Sequence, residues 1–151
     1  MKLYDLELNS NRLPQLVEEK SFRYSTRCNT PELITEMLNT CFNLCNKTEE
    51  HVYLVALDTK TNITGVFLVS KGALNYSICN PREILQRCFM VGAASFVIAH
   101  NHPSGDCTPS REDIKVFDSL REAGKIVGID CLDSIIVTDV NYCSIRKMGG
   151  E

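Results

Sequence analysis

The sequence predicts an α/β domain in which helices cover both faces of a mixed β-sheet. Two segments, 50–58 and 95–99, are apolar almost throughout, which is typical of strands buried on both faces. Three other segments carry apolar residues at helical spacing. Each of these follows a residue that favours the start of a helix: Thr30, Asn80 or Ser110.

The length of 151 residues fits a single domain over 1–151. Residues 1–28 form an N-terminal extension of short extended pieces. Alternating apolar and polar side chains predict an edge strand at 3–8, turn residues follow at 9–14, and a second strand is predicted at 22–26.

The first two helices are predicted from their start signals. Thr30 precedes a proline at the first helical position, and we expect this helix to end near Asn46. The second helix starts after Asn80 in the same way and ends near Gly92. Between these helices the apolar runs predict an antiparallel meander of three strands: 50–58, 63–71 and 74–79.

The second half of the chain alternates strand and helix. The buried strand 95–99 leads into a loop rich in proline and glycine. Ser110 then starts a third helix, which we expect to stop near Gly124. Strands at 129–138 and 142–145 complete one mixed sheet.

The charge balance argues against a protein whose main task is to bind nucleic-acid phosphates, because the formal net charge is -3. The sequence holds no run of 18 apolar residues, and its first residues lack the apolar stretch of a signal peptide. We therefore expect a cytoplasmic protein with no membrane partner.

The segment from His100 to Asp113 gathers the side chains that could bind a metal ion. His100 and His102 are two residues apart, so in an extended segment both imidazoles point to the same face. Pro103 favours that extended geometry at His102. Asp113, in the first turn of the next helix, can return to the same point. Two nitrogens and one carboxylate oxygen are a common catalytic zinc set, with a fourth position open for water.

Other interpretations of these residues stay open from the pattern alone. Ser110 and Asp113 have the spacing of a capping box, which would explain both residues without a metal. A catalytic metal also needs a nearby carboxylate that is not a ligand. Glu49 and Glu50 both enter the strand 50–58, on opposite faces, and the sequence does not say which face looks toward the metal.

Eight cysteines is a high count for this length, but no two of them form a Cys-x-x-Cys pair. Several lie in apolar runs, where a free thiol packs as a small hydrophobic group. We expect free thiols in a reducing compartment. Cys107, in the loop between the candidate ligands, is either an exposed thiol or a thiolate that occupies the open metal position.

The spacing of this segment resembles that of a known family. His100, one residue, His102, seven residues, Ser110, two residues and Asp113 are similar to the JAMM pattern of zinc hydrolases with a JAB or MPN-plus domain. The run His-Asn-His-Pro-Ser-Gly-Asp-Cys-Thr-Pro-Ser-Arg-Glu-Asp resembles the RadC branch of that family, and the resemblance extends over about 30–147.

The resemblance implies a fold similar to that of the cytidine deaminases, a three-layer mixed sheet flanked by helices. It implies that His100, His102 and Asp113 bind one Zn²⁺ per chain. Glu50 matches the acid/base glutamate, and Ser110 matches the serine that supports the oxyanion or positions the water. The implied activity is that of a zinc metallopeptidase, which hydrolyses an amide or isopeptide bond of a peptide or protein substrate with a water that the zinc activates.

The chain also differs from the usual pattern of the RadC branch at several points. Proteins of the RadC branch commonly carry a helix-hairpin-helix segment ahead of this domain, and residues 1–28 are too few for it. Asp133 and Ser134 stand where the family usually has Asp-His. An alternative function is a DNA repair or recombination accessory module that binds DNA or repair proteins, and a third is a metal-bound but inactive scaffold.

Overall fold

The computed structural model describes residues 1–24, 27–72, 74 and 79–149. In this part of the chain seven strands, four α-helices and one short 3₁₀ helix are formed. In chain order they are β1 (Lys2–Leu8), β2 (Pro14–Ser21), α1 (Pro31–Phe42), the 3₁₀ helix (Leu44–Asn46), β3 (His51–Leu57), β4 (Ile63–Lys71), α2 (Pro81–Met90), β5 (Ser95–Asn101), α3 (Arg111–Val127), β6 (Asp130–Val137), β7 (Tyr142–Ser144) and α4 (Ile145–Met148).

The strands form one mixed sheet in the order β2-β1-β4-β3-β5-β6-β7. The β1–β4 and β5–β6 pairs are parallel, and the other neighbouring pairs are antiparallel. Every residue of β3 is buried, as the apolar run predicts for a central strand. The predicted mixed sheet is therefore confirmed.

Helices cover both faces of this sheet. On one face α1 packs against alternate residues of β3, including Tyr53 and Val55. On the other face α2 and α3 pack against the intervening residues, including Val52 and Leu54. The three-layer α/β architecture is therefore confirmed. No helix among the described residues is both long enough and apolar enough to cross a membrane.

The second strand of the N-terminal extension differs from the prediction. The observed strand is Pro14–Ser21, which pairs with β1 in an antiparallel hairpin. The Asn9 side chain closes this hairpin by accepting hydrogen bonds from two backbone amides of the turn, and Arg12 adopts a left-handed conformation there. Of the strand predicted at 22–26, residues 22–24 are not in a strand, and 25–26 lie outside the described residues. Most of β2 is exposed, so its sequence carries little periodicity.

Two other predicted elements differ in their bounds. The helix α1 ends at Phe42 because Asn43 is left-handed, with φ of 52°, and the chain continues as the separate 3₁₀ turn. Of the strand predicted at 74–79, residues 75–78 lie outside the described residues, and the buried residues Leu74 and Cys79 are in no strand.

The helix α3 continues past Gly124 to Val127, so the predicted stop is wrong. The residue that ends this helix is Gly128, whose φ of 77° is the left-handed conformation that glycine favours. Gly124 is instead a close-approach position, because a Cβ there would collide with the backbone carbonyl oxygen of Ile129. The missing side chain lets the chain leave α3 and enter β6 directly.

We expect Gly124→Ala to destabilise the protein by about 1–3 kcal/mol, the usual cost of overpacking a tight site. Helix propensity alone predicts the opposite sign, a gain of about 1 kcal/mol for alanine over glycine inside a helix. Urea unfolding of both proteins measures the difference. Glu122→Ala, at an exposed position of the same helix, is the control and should stay within about 0.5 kcal/mol. A stabilised Gly124→Ala protein would contradict the close-packing explanation.

Candidate metal centre

The two histidines of the predicted site lie at the end of the central strand β5. Their Nε2 atoms face each other at 3.1 Å, because side chains two residues apart in a strand share a face. His100 is fully buried, and the side chain of His102 is 14% exposed. His100 pairs with Val52 of β3 in the sheet, on the face that α2 and α3 cover.

The Asp113 carboxylate completes this cluster from the first turn of α3. Its Oδ1 lies 3.3 Å from Nε2 of His100, and its Oδ2 lies 3.6 Å from Nε2 of His102. All three residues offer ligand atoms within 4.8 Å of one another. The group His100, His102 and Asp113 could therefore hold a metal ion, as the sequence predicts.

The capping role of Asp113 is also present. Ser110 Oγ accepts a hydrogen bond from the Asp113 amide at 3.1 Å, and Asp113 Oδ2 accepts one from the Ser110 amide at 2.7 Å. The two interpretations of this pair are thus compatible. Oδ2 serves the helix end, and Oδ1 is directed at His100.

The electrostatic surroundings keep the Asp113 carboxyl ionised. Burial raises its pKa, but the hydrogen bond and charge interaction with the His100 ring oppose that effect, as do the hydrogen bonds from Ser110. The pKa of Asp113 consequently lies below its usual value. An ionised carboxylate is the form that binds a cation.

The Nδ1 atom of each histidine indicates whether Nε2 can bind a metal ion, because a hydrogen bond from Nδ1–H leaves the lone pair on Nε2. Nδ1 of His102 lies 2.8 Å from the carbonyl oxygen of Asp106, so Nδ1–H donates to that oxygen, and in the neutral ring Nε2 carries the lone pair. Nδ1 of His100 is buried without a hydrogen-bond partner among the described residues. The lone pair of His102 is thus directed at the cluster, which fits a metal ligand.

Glu50 is the glutamate that lies beside this cluster. It precedes β3 and shares the strand face of Val52, which is paired with His100. Its Oε2 accepts a hydrogen bond from the Leu74 amide at 3.1 Å. Glu49 is exposed and is not among the residues that line the cleft next to the histidines.

A cleft of about 430 Å³ opens onto the cluster. Three carboxylates contribute to its wall, which favours a cation over a phosphate group there. Ser110 lies at its rim, and because Oγ accepts the Asp113 amide, its hydroxyl proton can be donated toward the cleft. The structure thus brings all five predicted residues to one place: Glu50, His100, His102, Ser110 and Asp113.

The prediction for Cys107 is wrong in both of its forms. Its Sγ forms a disulfide with Cys143 of β7, and the two Cα atoms are 5.6 Å apart. Cys107 is therefore neither an exposed free thiol nor a ligand at the open metal position in this structure. The bond attaches the loop between His102 and Asp113 to the edge of the sheet.

The packing prediction holds for the buried thiols. Cys79, Cys88 and Cys131 lie in the core between the sheet and α2 and α3. Burial raises the pKa of Cys79 and of Cys88 to about 12, and it raises that of Cys131 as well. These thiols remain neutral near pH 7 and are poor nucleophiles.

We expect a reductant to lower the free energy of unfolding by about 2–4 kcal/mol, the usual contribution of one disulfide. The bond joins positions 36 residues apart, so opening it frees a long loop in the unfolded chain. Guanidinium unfolding with and without dithiothreitol measures the effect, which Cys143→Ser should abolish. Cys41→Ser, at an unbonded cysteine, is the control and should leave the effect intact. An unchanged midpoint in the reduced wild-type protein would contradict the prediction.

Three contacts of the site were not predicted. Two of them involve backbone atoms, the Leu74 amide and the Asp106 carbonyl, which leave no mark on a sequence. The third is Cys143, which the sequence offers only as one of eight cysteines. Disulfide connectivity cannot be deduced from spacing alone.

Comparison with known proteins places the chain in a family. The family described as "RadC-like JAB domain" matches residues 28–150. A UPF0758 protein of Methanosarcina mazei is 41% identical over 140 residues, which cover 93% of this chain and 58% of that protein. The UPF0758 protein YsxA of Bacillus subtilis is 44% identical over 102 residues, which cover 68% of this chain and 44% of that protein.

A UPF0758 protein of Methanococcoides burtonii is 46% identical over 101 residues, which cover 67% of this chain and 44% of that protein. The chain thus spans about half the length of the curated relatives that it matches. The matched region contains all three candidate metal ligands and Glu50. The chain belongs to the family of RadC-like JAB domains.

Proposed function

We propose that this domain is a zinc-dependent hydrolase that cleaves an amide or isopeptide bond in a peptide or protein. The observation that carries the proposal is the convergence of two imidazole Nε2 atoms and the Asp113 carboxylate, with Glu50 beside them in one cleft. Two imidazoles and one carboxylate are a ligand set that zinc prefers, and it leaves a fourth position for water or substrate.

In this proposal, His100, His102 and Asp113 would hold the ion. Bound zinc supplies a Lewis acid that makes water more acidic and polarises a carbonyl group. Glu50 takes the proton from the attacking water as the new C–O bond forms. It then gives that proton to the amine nitrogen as the C–N bond breaks. The Ser110 hydroxyl donates a hydrogen bond to the oxygen that becomes negative on the carbonyl carbon.

Separate features of the structure support this division of roles. Glu50 is held by the Leu74 amide and is not among the residues grouped around the candidate ion, so it is available as a base. Ser110 is exposed at the cleft, where its hydroxyl can meet a substrate. The alternative of a DNA repair accessory module has less support, because the net charge is -3 and carboxylates line the cleft.

Metal analysis followed by a substrate screen tests the proposal. The purified protein should hold about one zinc ion per chain. The zinc-loaded protein is then offered a library of linear and isopeptide-linked peptides, and cleavage should stop with a chelator and return with zinc. A zinc-loaded protein that cleaves nothing would support the scaffold alternative. Salt-dependent DNA binding that His100→Ala leaves unchanged would support the accessory module.

A further inference from the structure

The residue between the two histidines faces the opposite side of the sheet. Asn101 is 1% exposed, and its side chain reaches the segment that precedes β3. Its Oδ1 accepts a hydrogen bond from the His51 amide at 2.7 Å. Its Nδ2 donates to the carbonyl oxygens of Glu49 at 3.1 Å and Lys47 at 3.3 Å.

The backbone groups in these three bonds lie on both sides of Glu50 in the chain. The carbonyl of Glu49 is directly before Glu50, and the amide of His51 is directly after it. The backbone pairing between β3 and β5 ends with Val52 and His100, so the Asn101 side chain continues the connection beyond the strand pair. The segment that carries Glu50 is thus attached to the strand that carries the histidines.

The other side of the Glu50 segment is attached to the end of β4. The Gly72 amide donates to the Glu50 carbonyl oxygen at 2.7 Å, and the Leu74 amide donates to the Glu50 side chain. These bonds hold Glu50 relative to the end of β4, whereas His100 belongs to β5 and His102 directly follows it. Asn101 is the described side chain that links the backbone on both sides of Glu50 to β5.

We propose that Asn101 is a positioning residue that fixes the Glu50 carboxylate relative to His100 and His102. The inference rests on the proposed function, because it assigns Glu50 the proton transfer. His100 and His102 point to one face of β5 and Asn101 points to the other, so one tripeptide aligns both parts of the site. A displacement of about 1 Å in a reacting group can reduce the rate about a hundredfold.

Two variants test this role. Asn101→Ala removes all three bonds, whereas Asn101→Asp keeps an acceptor for the His51 amide and loses the donors to both carbonyls. We expect either variant to lower kcat by about tenfold to a hundredfold, with KM and zinc content unchanged. In a Glu50→Gln background Asn101→Asp should cause no further loss, since a residue that acts through Glu50 has no effect once the base is gone.

Amide hydrogen exchange supplies a measurement that does not depend on activity. In the zinc-loaded protein, Asn101→Asp should raise the exchange rate of the Leu74 amide, which donates to Glu50, relative to the wild-type protein. If no substrate is found, the proposed function fails, while this measurement still decides whether Asn101 fixes Glu50.

Asp58→Ala is the matched control. Asp58 accepts the amides of Lys60 and Asn62 at the other end of β3, so this variant also removes side-chain bonds to backbone amides. It should lower stability and leave kcat unchanged. Loss of zinc in both Asn101 variants would overturn the proposal. So would additive effects with Glu50→Gln, or unchanged exchange at Leu74.

Discussion

Replacing Glu50 with glutamine should lower the hydrolysis rate by about 10²–10⁴-fold, the usual contribution of a general acid or base. Glutamine has nearly the same shape but cannot take a proton from water. Its side-chain oxygen can still accept the Leu74 amide, so the local structure should persist. Single-turnover kinetics on a cleaved peptide from the substrate screen measures the change.

The zinc content of Glu50→Gln should equal that of the wild-type protein, because Glu50 is outside the ligand group. Glu49→Gln is the matched control: it is the neighbouring glutamate, it is exposed, and it should retain full activity. If Glu49→Gln were the inactive variant, the assignment of the base would be wrong. Metal loss in Glu50→Gln would make Glu50 a ligand instead.

Removing a ligand should have a second large effect, on metal binding itself. Substitutions in the outer shell of a metal site commonly cost 10–100-fold in affinity, so we expect more than about a hundredfold for His100→Ala. His100 is fully buried and its Nε2 lies 3.3 Å from Asp113 Oδ1, so this variant removes one of the two nitrogen ligands from the centre of the group. Isothermal titration with zinc in a competing chelator gives the affinity.

Asp113 allows the metal role to be separated from the helix cap. Asp113→Asn keeps an oxygen that accepts the Ser110 amide but loses the charge, so zinc affinity should fall while α3 stays capped. Asp113→Ala should lose the same affinity and about 1 kcal/mol of additional stability, because it also removes the hydrogen bond that the Ser110 amide donates. Glu112→Gln, at the same cleft and outside the ligand group, is the control and should keep its zinc. Equal zinc affinity in Asp113→Asn and the wild-type protein would exclude the carboxylate as a ligand.

The elements that the sequence predicts well are those with strong local signals. A cap followed by proline marks the starts of α1 and α2, and the apolar run marks β3. The exposed strand β2 lacks such a signal, and its position depends on the Asn9 turn. The helix α3 does not end at Gly124, as the sequence predicts, because this glycine serves close packing against Ile129, a contact that exists only in the tertiary structure.

In the candidate site, too, local sequence signals predict some residues, whereas others depend on contacts between distant parts of the chain. His100, His102 and Asp113 lie within one short segment, so spacing and secondary structure suffice to bring them together. The choice between Glu49 and Glu50 needed the pairing of β3 with β5, a contact between residues that are distant in the chain. From the sequence, only the family resemblance distinguishes Glu50 from Glu49.

The shared use of Asp113 connects metal occupancy to folding. An ion held by Asp113 and the two histidines would be a cross-link between the sheet and the first turn of α3. A ligand that binds only the folded state stabilises it by about 2.7 kcal/mol when its free concentration is 100 times Kd. The thermal midpoint of this domain would then report the free zinc around it, and chelation would first loosen the start of α3.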